Sequence, residues 1–470
     1  MNPAAITAAP FRTDMESRDT RLHAADTPMK PINGTFKKTG RSAFILRSFR
    51  SRNYRLFFAG QSFSLIGTWM QQVAMSWLVY RLTGSALLLG VIGFVSQIPT
   101  LFVAPFAGVL ADRWNRRKLI VATQVFSMVQ AFVLAWLVLA GSVRVWHIIL
   151  LSTLIGIINS FDVPFRQAFV VEMVEDKDDL ANAIALNSSM FHGTRLIGPS
   201  LAGILIATVG EGLCFLVNGV SYLAVLCSLV AMKVLPRPVT VHKRRIFHEL
   251  KEGFSYAYRF TPIRSMLLLI GAVSLLGIPY VVLMPVFAKE ILHGGPHTFG
   301  FLVAASGIGS FTASIYLASR RSVLGLERLV AFAPALFGLS IAAFAFSRLT
   351  WLSLVILVFA GFGVMIQIAS SNTMIQTLVD DDKRGRVMSL YTMAFMGMAP
   401  FGSLLAGALA GHIGAPQTVV LGGICCMLGA AAFSMKLHAF RKAADPVYAR
   451  LGIIREGAGA AGPAVTQEEA

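Results

Sequence analysis

Long apolar runs alternate along this chain with short polar breaks, and no ten-residue segments of alternating polarity suggest a membrane barrel. A membrane-crossing helix needs about 20 mostly apolar residues. By that measure the pattern predicts twelve spans, near residues 55–79, 86–110, 119–140, 146–170, 183–208, 213–235, 266–288, 298–318, 329–347, 350–374, 387–410 and 417–437. The narrowest break is Ser347-Arg348-Leu349-Thr350. The widest runs from Lys233 to Arg264 and contains Pro236, Pro238 and the basic run Lys243-Arg244-Arg245. Within it, His248 to Phe260 has the pattern of an amphipathic helix lying on a membrane surface. The expected fold class is an all-α membrane protein with twelve transmembrane helices in two six-helix lobes. The expected domains are a basic tail (1–52), a first lobe (53–235), a linker (236–265), a second lobe (266–440) and a second tail (441–470). Residues 1–40 and 445–470 lack apolar periodicity and are expected to have no fixed structure.

Composition agrees. Hydrophobic residues make up 55% of the chain and charged residues 14%, against about 25% charged in soluble proteins. The net charge of +18 invites a nucleic-acid reading, but the placement of the bases argues against it. Of 41 Lys and Arg, 35 fall in the tails, the linker and alternate loops. Only Arg81, Arg144, Lys289 and Arg348 fall on the other side, while Arg166 and Arg195 lie inside predicted spans. Such a bias places both termini and the linker in the cytoplasm, with the bilayer as the basic residues' neighbour and no nucleic acid as partner. Residues 1–52 contain no short apolar stretch of the kind a cleaved signal needs, so the first span is expected to direct insertion.

Candidate enzyme chemistry is missing. Cys214, Cys227, Cys425 and Cys426 all sit in apolar spans without metal-ligand spacing. The chain has no G-x-x-x-x-G-K-[ST], no H-E-x-x-H and no G-x-S-x-G. Neither ATP hydrolysis, a metal, a cofactor nor a catalytic residue is therefore expected.

The two halves repeat. Shifted by 204 positions, Gln167–Gly210 aligns with Ser371–Gly414, and eleven of 44 positions are identical. They include Asp176/Asp380, Asp178/Asp382, Gly193/Gly397, Gly198/Gly402 and Leu201–Gly203/Leu405–Gly407. Equivalent spans run in the same direction, which makes the repeat parallel, with its axis along the membrane normal. Two lobes of that symmetry rocking about a central site are an arrangement used by transporters.

Between the second and third spans lies Gly108-Val109-Leu110-Ala111-Asp112-Arg113-Trp114-Asn115-Arg116-Arg117-Lys118. On spacing alone this reads equally as a basic turn in which Asp112 caps a helix. The segment also resembles the G-x-L-A-D-R-x-x-R-[RK] loop of the major facilitator superfamily. Gly60-Gln61, Thr83-Gly84-Ser85-Ala86 and Pro164-Phe165-Arg166-Gln167-Ala168 are similar to its exporter branch, which includes enterobactin-type siderophore exporters and macrolide-efflux proteins. The resemblance covers about residues 44–440. It implies a major facilitator fold and a conformational latch built from Gly108, Asp112, Arg113, Arg116 and Arg117, with Asp112 meeting the start of span eleven near Gly385–Val387. The matching second-half loop, Ser319-Arg320-Arg321, has no acid, so such a latch is one-sided. Gly198-Pro199-Ser200-Leu201-Ala202-Gly203 resembles the antiporter motif G-P-x-x-G-G, with Ala202 in place of a glycine and Thr194 where another glycine is usual. Simple close packing of helices accounts for the same residues.

Ionisable residues within spans are few and costly. Asp162 is the one acid well inside a span, and Arg166 follows at i+4, a salt-bridging distance on one helix face. Arg195 lies near the middle of span five, with His192 one turn earlier. Two readings stand: a structural pair of Asp162 with Arg166 or Arg195, or a protonatable coupling site at Asp162 with Arg195 anchoring an anionic cargo. The resulting expectation is a monomeric, secondary active exporter that moves a small-molecule substrate such as a siderophore, drug or metabolite outward against protons across the bacterial inner membrane. The rivals are an importer or uniporter, and a membrane sensor that does not transport.

Overall fold

The computed structural model describes residues 47–111, 114–173, 179–233, 246–320 and 322–453, and these residues are overwhelmingly helical. Six long helices form the first lobe: α1 (Arg52–Thr83), α2 (Ala86–Ala111), α3 (Arg116–Leu139), α4 (Val145–Met173), α5 (Leu180–Val209) and α6 (Glu211–Ala231). The linker contributes α7 (Ile246–Arg259). The second lobe holds α8 (Thr261–Ile291), α9 (Pro296–Ser319), α10 (Leu326–Phe346), α11 (Thr350–Leu378), α12 (Asp381–Ile413) and α13 (Ala415–Met435), and α14 (Leu437–Arg450) follows. Ten of these helices are both long and apolar enough to cross a membrane. The other two long helices, α1 and α5, have 32 and 30 residues. They fall short in apolarity because they carry Gln61, Gln71 and Gln72, and Asn187, His192 and Arg195. Both helices belong to the first lobe.

Local signals set the boundaries. The Ser51 hydroxyl accepts from the Tyr54 amide at the start of α1, and Gly84, at φ 60°, ends the helix in a left-handed turn that a side chain would strain. The Asn115 side chain caps α3 by accepting from the Lys118 amide at 3.2 Å. Ser347–Leu349 separates α10 from α11, at the narrowest break in the sequence pattern. α8 and α12 are not regular throughout. π-helical turns interrupt them at Val273–Gly277, Phe287–Ile291 and Met393–Gly397, and the Ser274 hydroxyl donates to the Phe395 carbonyl between two of these turns.

Within the first lobe α1 packs on α5 and α6, α2 on α4, and α3 on α4 and α6; within the second, α9 packs on α11, and α10 on α11 and α13. The lobes meet mainly along two seams, α5 against α9 and α2 against α12. A buried amide ladder holds the first lobe internally. Asn218 donates to Gln71 at 2.7 Å, Gln71 to Gln130 at 2.9 Å, and Gln130 to the Leu151 carbonyl at 3.2 Å. The ladder ties α6, α1, α3 and α4 together and satisfies amides that are buried within the lobe.

On the side where the chain enters α1 and leaves α13, α7 and α14 dock on the second lobe. Glu252 pairs with Arg386 at 2.7 Å, and a side chain at Gly253 would sit 2.9 Å from Arg386 Cβ. Asp380 collects three partners. Arg450 Nη2 of α14 lies 2.7 Å away, the Tyr256 hydroxyl of α7 donates at 3.4 Å, and Lys383 Nζ is at 3.9 Å. The Arg450 hydrogen bond and charge hold the Asp380 carboxyl below the usual carboxylate range, while burial and the same carboxylate push the Tyr256 hydroxyl up. Tyr448 is pushed up to about 12 by burial. The segment expected to be without structure from residue 445 is therefore helical as far as Arg450. Phe440, Ala444 and Tyr448 form a buried i, i+4, i+8 stripe, and Arg441 pairs with Glu327 at 3.0 Å. Residues 454–470 lie outside the described residues, as do 1–46.

Candidate functional site

The seams are closed most tightly near the face away from the termini, and glycines close both. At the α5/α9 seam a Cβ on Gly300 would lie 2.8 Å from the Gly203 Cα and against the Pro199 carbonyl; one on Gly203 would meet the His297 Cα at 3.0 Å. At the α2/α12 seam a Cβ on Gly407 would lie 2.8 Å from the Gly90 Cα and 2.7 Å from the Ala86 carbonyl. Gly203 and Gly407 are equivalent in the internal repeat, so the two seams are built alike. Near this face Trp77 of α1 stacks on Phe299 of α9 with ring centroids 6.2 Å apart. The Tyr80 hydroxyl donates to Glu290 of α8, and Lys289 Nζ lies 5.6 Å from the Tyr80 ring centre.

Between the lobes lies a cavity of about 260 Å³. Leu89, Gly93 and Phe299, beside the seam glycines, line it at its closed end. Its two walls differ in chemistry. Among the described residues, the first lobe supplies every polar lining side chain, including Gln72, Ser76, Gln97, Asn159 and Arg195. The second lobe supplies Val281, Val282, Phe299 and Val303, all apolar. Arg195, half-buried, is the one charged lining residue among the described residues. Its guanidinium carbon lies 5.6 Å from the Trp69 ring centre, a cation–π contact, and Phe191 meets the Trp69 ring edge-on at 5.6 Å.

The four candidate charged residues separate into two groups. Asp162 is buried and fully engaged. It accepts from Thr123 Oγ1 and Gln124 Nε2 of α3, both at 2.8 Å, and pairs with Arg166 Nη2 at 3.2 Å across the turn that contains Pro164. The i, i+4 reading thus holds for Arg166. Arg195 does not join this group and makes no ion pair among the described residues. His192 sits beside Arg195 on α5, and its buried Nδ1 has no hydrogen-bond partner.

Ahead of the loop after α2, Gly108 lies three residues before the end of α2. Arg116 pairs with Glu172 at 2.9 Å and donates to the Ala168 carbonyl, and Arg117 donates to the Val230 carbonyl at 3.1 Å. Both arginines thus bond to other helices of the first lobe. Asp112 and Arg113 lie outside the described residues, as do Asp176 and Asp178. At Gly385, the expected meeting point, a Cβ would find nothing within 4 Å. The Gly198-to-Gly203 motif works as a double crossing. Gly198 lets α1 approach, since a Cβ there would lie 2.5 Å from Trp69 Cβ, while Gly203 lets α9 approach from the other lobe. The residues that sequence reasoning missed are the partner glycines Gly90 and Gly300 and the Tyr80–Glu290 contact. No spacing signal in the chain marks any of them.

A family model described as a transmembrane secretion effector matches residues 44–449. The staphyloferrin A transporter of Staphylococcus aureus is 25% identical over 373 residues, covering 79% of this chain and 92% of that protein. Macrolide efflux protein A of Streptococcus pyogenes is 22% identical over 384 residues, covering 79% and 93%. Among solved structures, a bacterial homolog of the human lysosomal transporter Spinster, inward-facing and unoccupied, superposes with a TM-score of 0.64 at 13% identity, covering 84% of this chain and 98% of that one. These proteins are transporters, and the resemblance drawn from the loop after span two agrees with them.

Proposed function

Because the chain belongs to the transmembrane secretion effector family of the major facilitator superfamily, we propose that it is a monomeric, proton-coupled exporter of a small organic molecule in a bacterial inner membrane. One observation carries the reading: a cavity between two lobes, closed toward one face by two glycine seams related by the internal repeat. An arrangement of that kind suits rocking between two openings. The relatives include a macrolide efflux protein, which supports the outward direction. The concentration of basic residues in the tails and linker supports a cytoplasmic location for both termini. On that orientation the closed seams face outward and the structure is the inward-facing state. Asp112, with its basic neighbours, is the latch of the opposite state.

Asp162 is the proposed proton carrier. Protonation would remove the charge that holds Arg166 and would weaken the bonds to Thr123 and Gln124, loosening α4 from α3 beside the cavity-lining Asn159. The test is accumulation of a compound panel, including iron chelators and macrolides, in cells with and without overexpression, each with and without a protonophore. Export predicts lower accumulation of some compound, restored by the protonophore. Higher accumulation on overexpression would mean import, and lowered accumulation indifferent to the protonophore would remove proton coupling.

A further inference from the structure

We propose that the cavity selects an amphiphilic organic anion, whose charged group neutralises Arg195 and whose apolar part lies against the second lobe. This inference rests on the export reading and names the substrate class of the same site. Three features carry it. First, Arg195 is a cation within the bundle that has no carboxylate partner among the described residues; its companions are the Trp69 ring, 5.6 Å away, His192 on its own helix and the Tyr280 hydroxyl, none of them an acid that could neutralise it. A charge so placed is costly unless it meets a counter-ion or water. Asp162 is already engaged by Arg166, Thr123 and Gln124, so the chain's own acid is not available to Arg195. Second, the amides of Gln72 and Asn159 line the same cavity, and neither side chain makes a hydrogen bond among the described residues. The neighbouring amides of Gln71, Gln130 and Asn218 are bonded to one another. The free amides are donors and acceptors left for a ligand. Third, the facing wall of Val281, Val282, Phe299 and Val303 has no polar side chain, which disfavours a small inorganic anion.

Charge complementarity makes the discrimination one-sided. An anion gains a charge-assisted hydrogen bond from Arg195, a neutral analogue gains a weaker one, and a cation meets repulsion in a low-dielectric site. Charged hydrogen bonds are stronger than neutral ones by enough to change affinity on the order of tenfold.

The test uses three probes on one skeleton: 6-(dansylamino)hexanoate, its primary amide, and the analogue ending in a trimethylammonium group. Binding to the purified full chain in lipid nanodiscs is read from dansyl fluorescence. The expected order is carboxylate tightest by about tenfold, then amide, then ammonium. Arg195→Gln is expected to remove the preference, and Arg195→Lys to keep part of it. Equal binding of the three, tighter binding of the ammonium probe, no binding of any probe, or a preference that survives Arg195→Gln would overturn the proposal. Should Arg195→Gln not fold, the wild-type series together with Arg195→Lys decides. Efflux of the same probes from proteoliposomes separates this inference from the reading beneath it. Charge-selective binding without transport removes the export reading and keeps the anion site, whereas transport without charge selectivity does the reverse.

Discussion

Replacing Gly300 by Ala should open the seam between α5 and α9. The added Cβ would lie 2.8 Å from the Gly203 Cα, 3.0 Å from the Gly203 nitrogen, and against the Pro199 carbonyl. All three atoms belong to the backbone of α5, so no side chain can rotate away and the helices themselves must separate. Overpacking of this kind costs about 1–3 kcal/mol. The cost falls only on the state in which the seam is closed, so the closed population should drop relative to the open one by about 5- to 150-fold. Gly203→Ala should act more weakly, because its nearest neighbours stand at 3.0–3.1 Å. Gly193→Ala, on the same helix as Gly203, is the control, with nothing within 4 Å of its Cβ. The assay is a distance distribution between spin labels at Leu87 of α2 and His412 of α12, both exposed, in a chain with Cys227 and Cys425 replaced by serine. Gly300→Ala should move population to longer distances. An unchanged distribution in folded protein, or a larger effect from Gly203→Ala, would refute the reasoning.

Three further outcomes follow from the same geometry. Tyr80→Phe and Glu290→Gln each weaken the contact between α1 and α8, worth on the order of 1–3 kcal/mol for a charged hydrogen bond; both should shift the same label distances in the same direction as Gly300→Ala, and a shift to shorter distances would show that this contact does not hold the face closed. Asp162→Asn should abolish the dependence of transport on a proton gradient while leaving downhill efflux of a loaded substrate, measured in proteoliposomes with and without an imposed gradient; intact gradient-driven accumulation would leave Asp162 a structural residue. Arg450 holds Asp380 below its usual range, so the unfolded chain takes up that proton first. The stabilisation is then full above the ordinary aspartate value of about 3.9 and is lost as pH falls through the lower folded value. Amide exchange in α14 should accelerate in that acid window in the wild type and already be fast at neutral pH in Asp380→Asn; an α14 equally protected in the variant would show that its buried stripe alone holds it.

Much of the architecture was legible because its signals are local. Twenty-residue apolar runs mark the helices, and basic residues mark alternate loops. The Asp162–Arg166 pair could be read because i, i+4 spacing brings two side chains together on any helix. The repeat identified Gly203 and Gly407 as equivalent, but not Gly300 and Gly90 as their partners. A glycine in an apolar run carries no record of which helix crosses it, since that depends on how whole lobes dock. The separation of Arg195 from Asp162 was hidden for a related reason. Both lie in spans, and only the rotation of α5 against α4 decides whether they face each other. The helix over 437–450 was missed because its apolar stripe is short and sparse among charged residues, and its order comes from docking on Glu327 and Asp380.

Binding and closure share helices here, which governs how any variant should be interpreted. α1 carries Trp69, Gln72 and Ser76 of the cavity wall, and within about one turn beyond Ser76 come Trp77 and Tyr80 of the closed face. α8 carries Val281 and Val282 of the opposite wall, and Glu290 eight residues beyond; at 1.5 Å per residue that is about 12 Å. A substitution in either wall therefore changes a helix that also holds the face closed, and a loss of transport there does not say which step failed. α12 differs, because it lines none of the cavity among the described residues yet contributes Gly407 to a seam. Gly407→Ala places its Cβ 2.7 Å from the Ala86 carbonyl and 2.8 Å from the Gly90 Cα, again against backbone alone. It should reproduce the shift in label distances caused by Gly300→Ala while leaving the carboxylate-over-amide preference of the dansyl probes intact. If Gly407→Ala moves the distances and also erases that preference, the charge selection belongs to the closed conformation as a whole and not to the Arg195 wall.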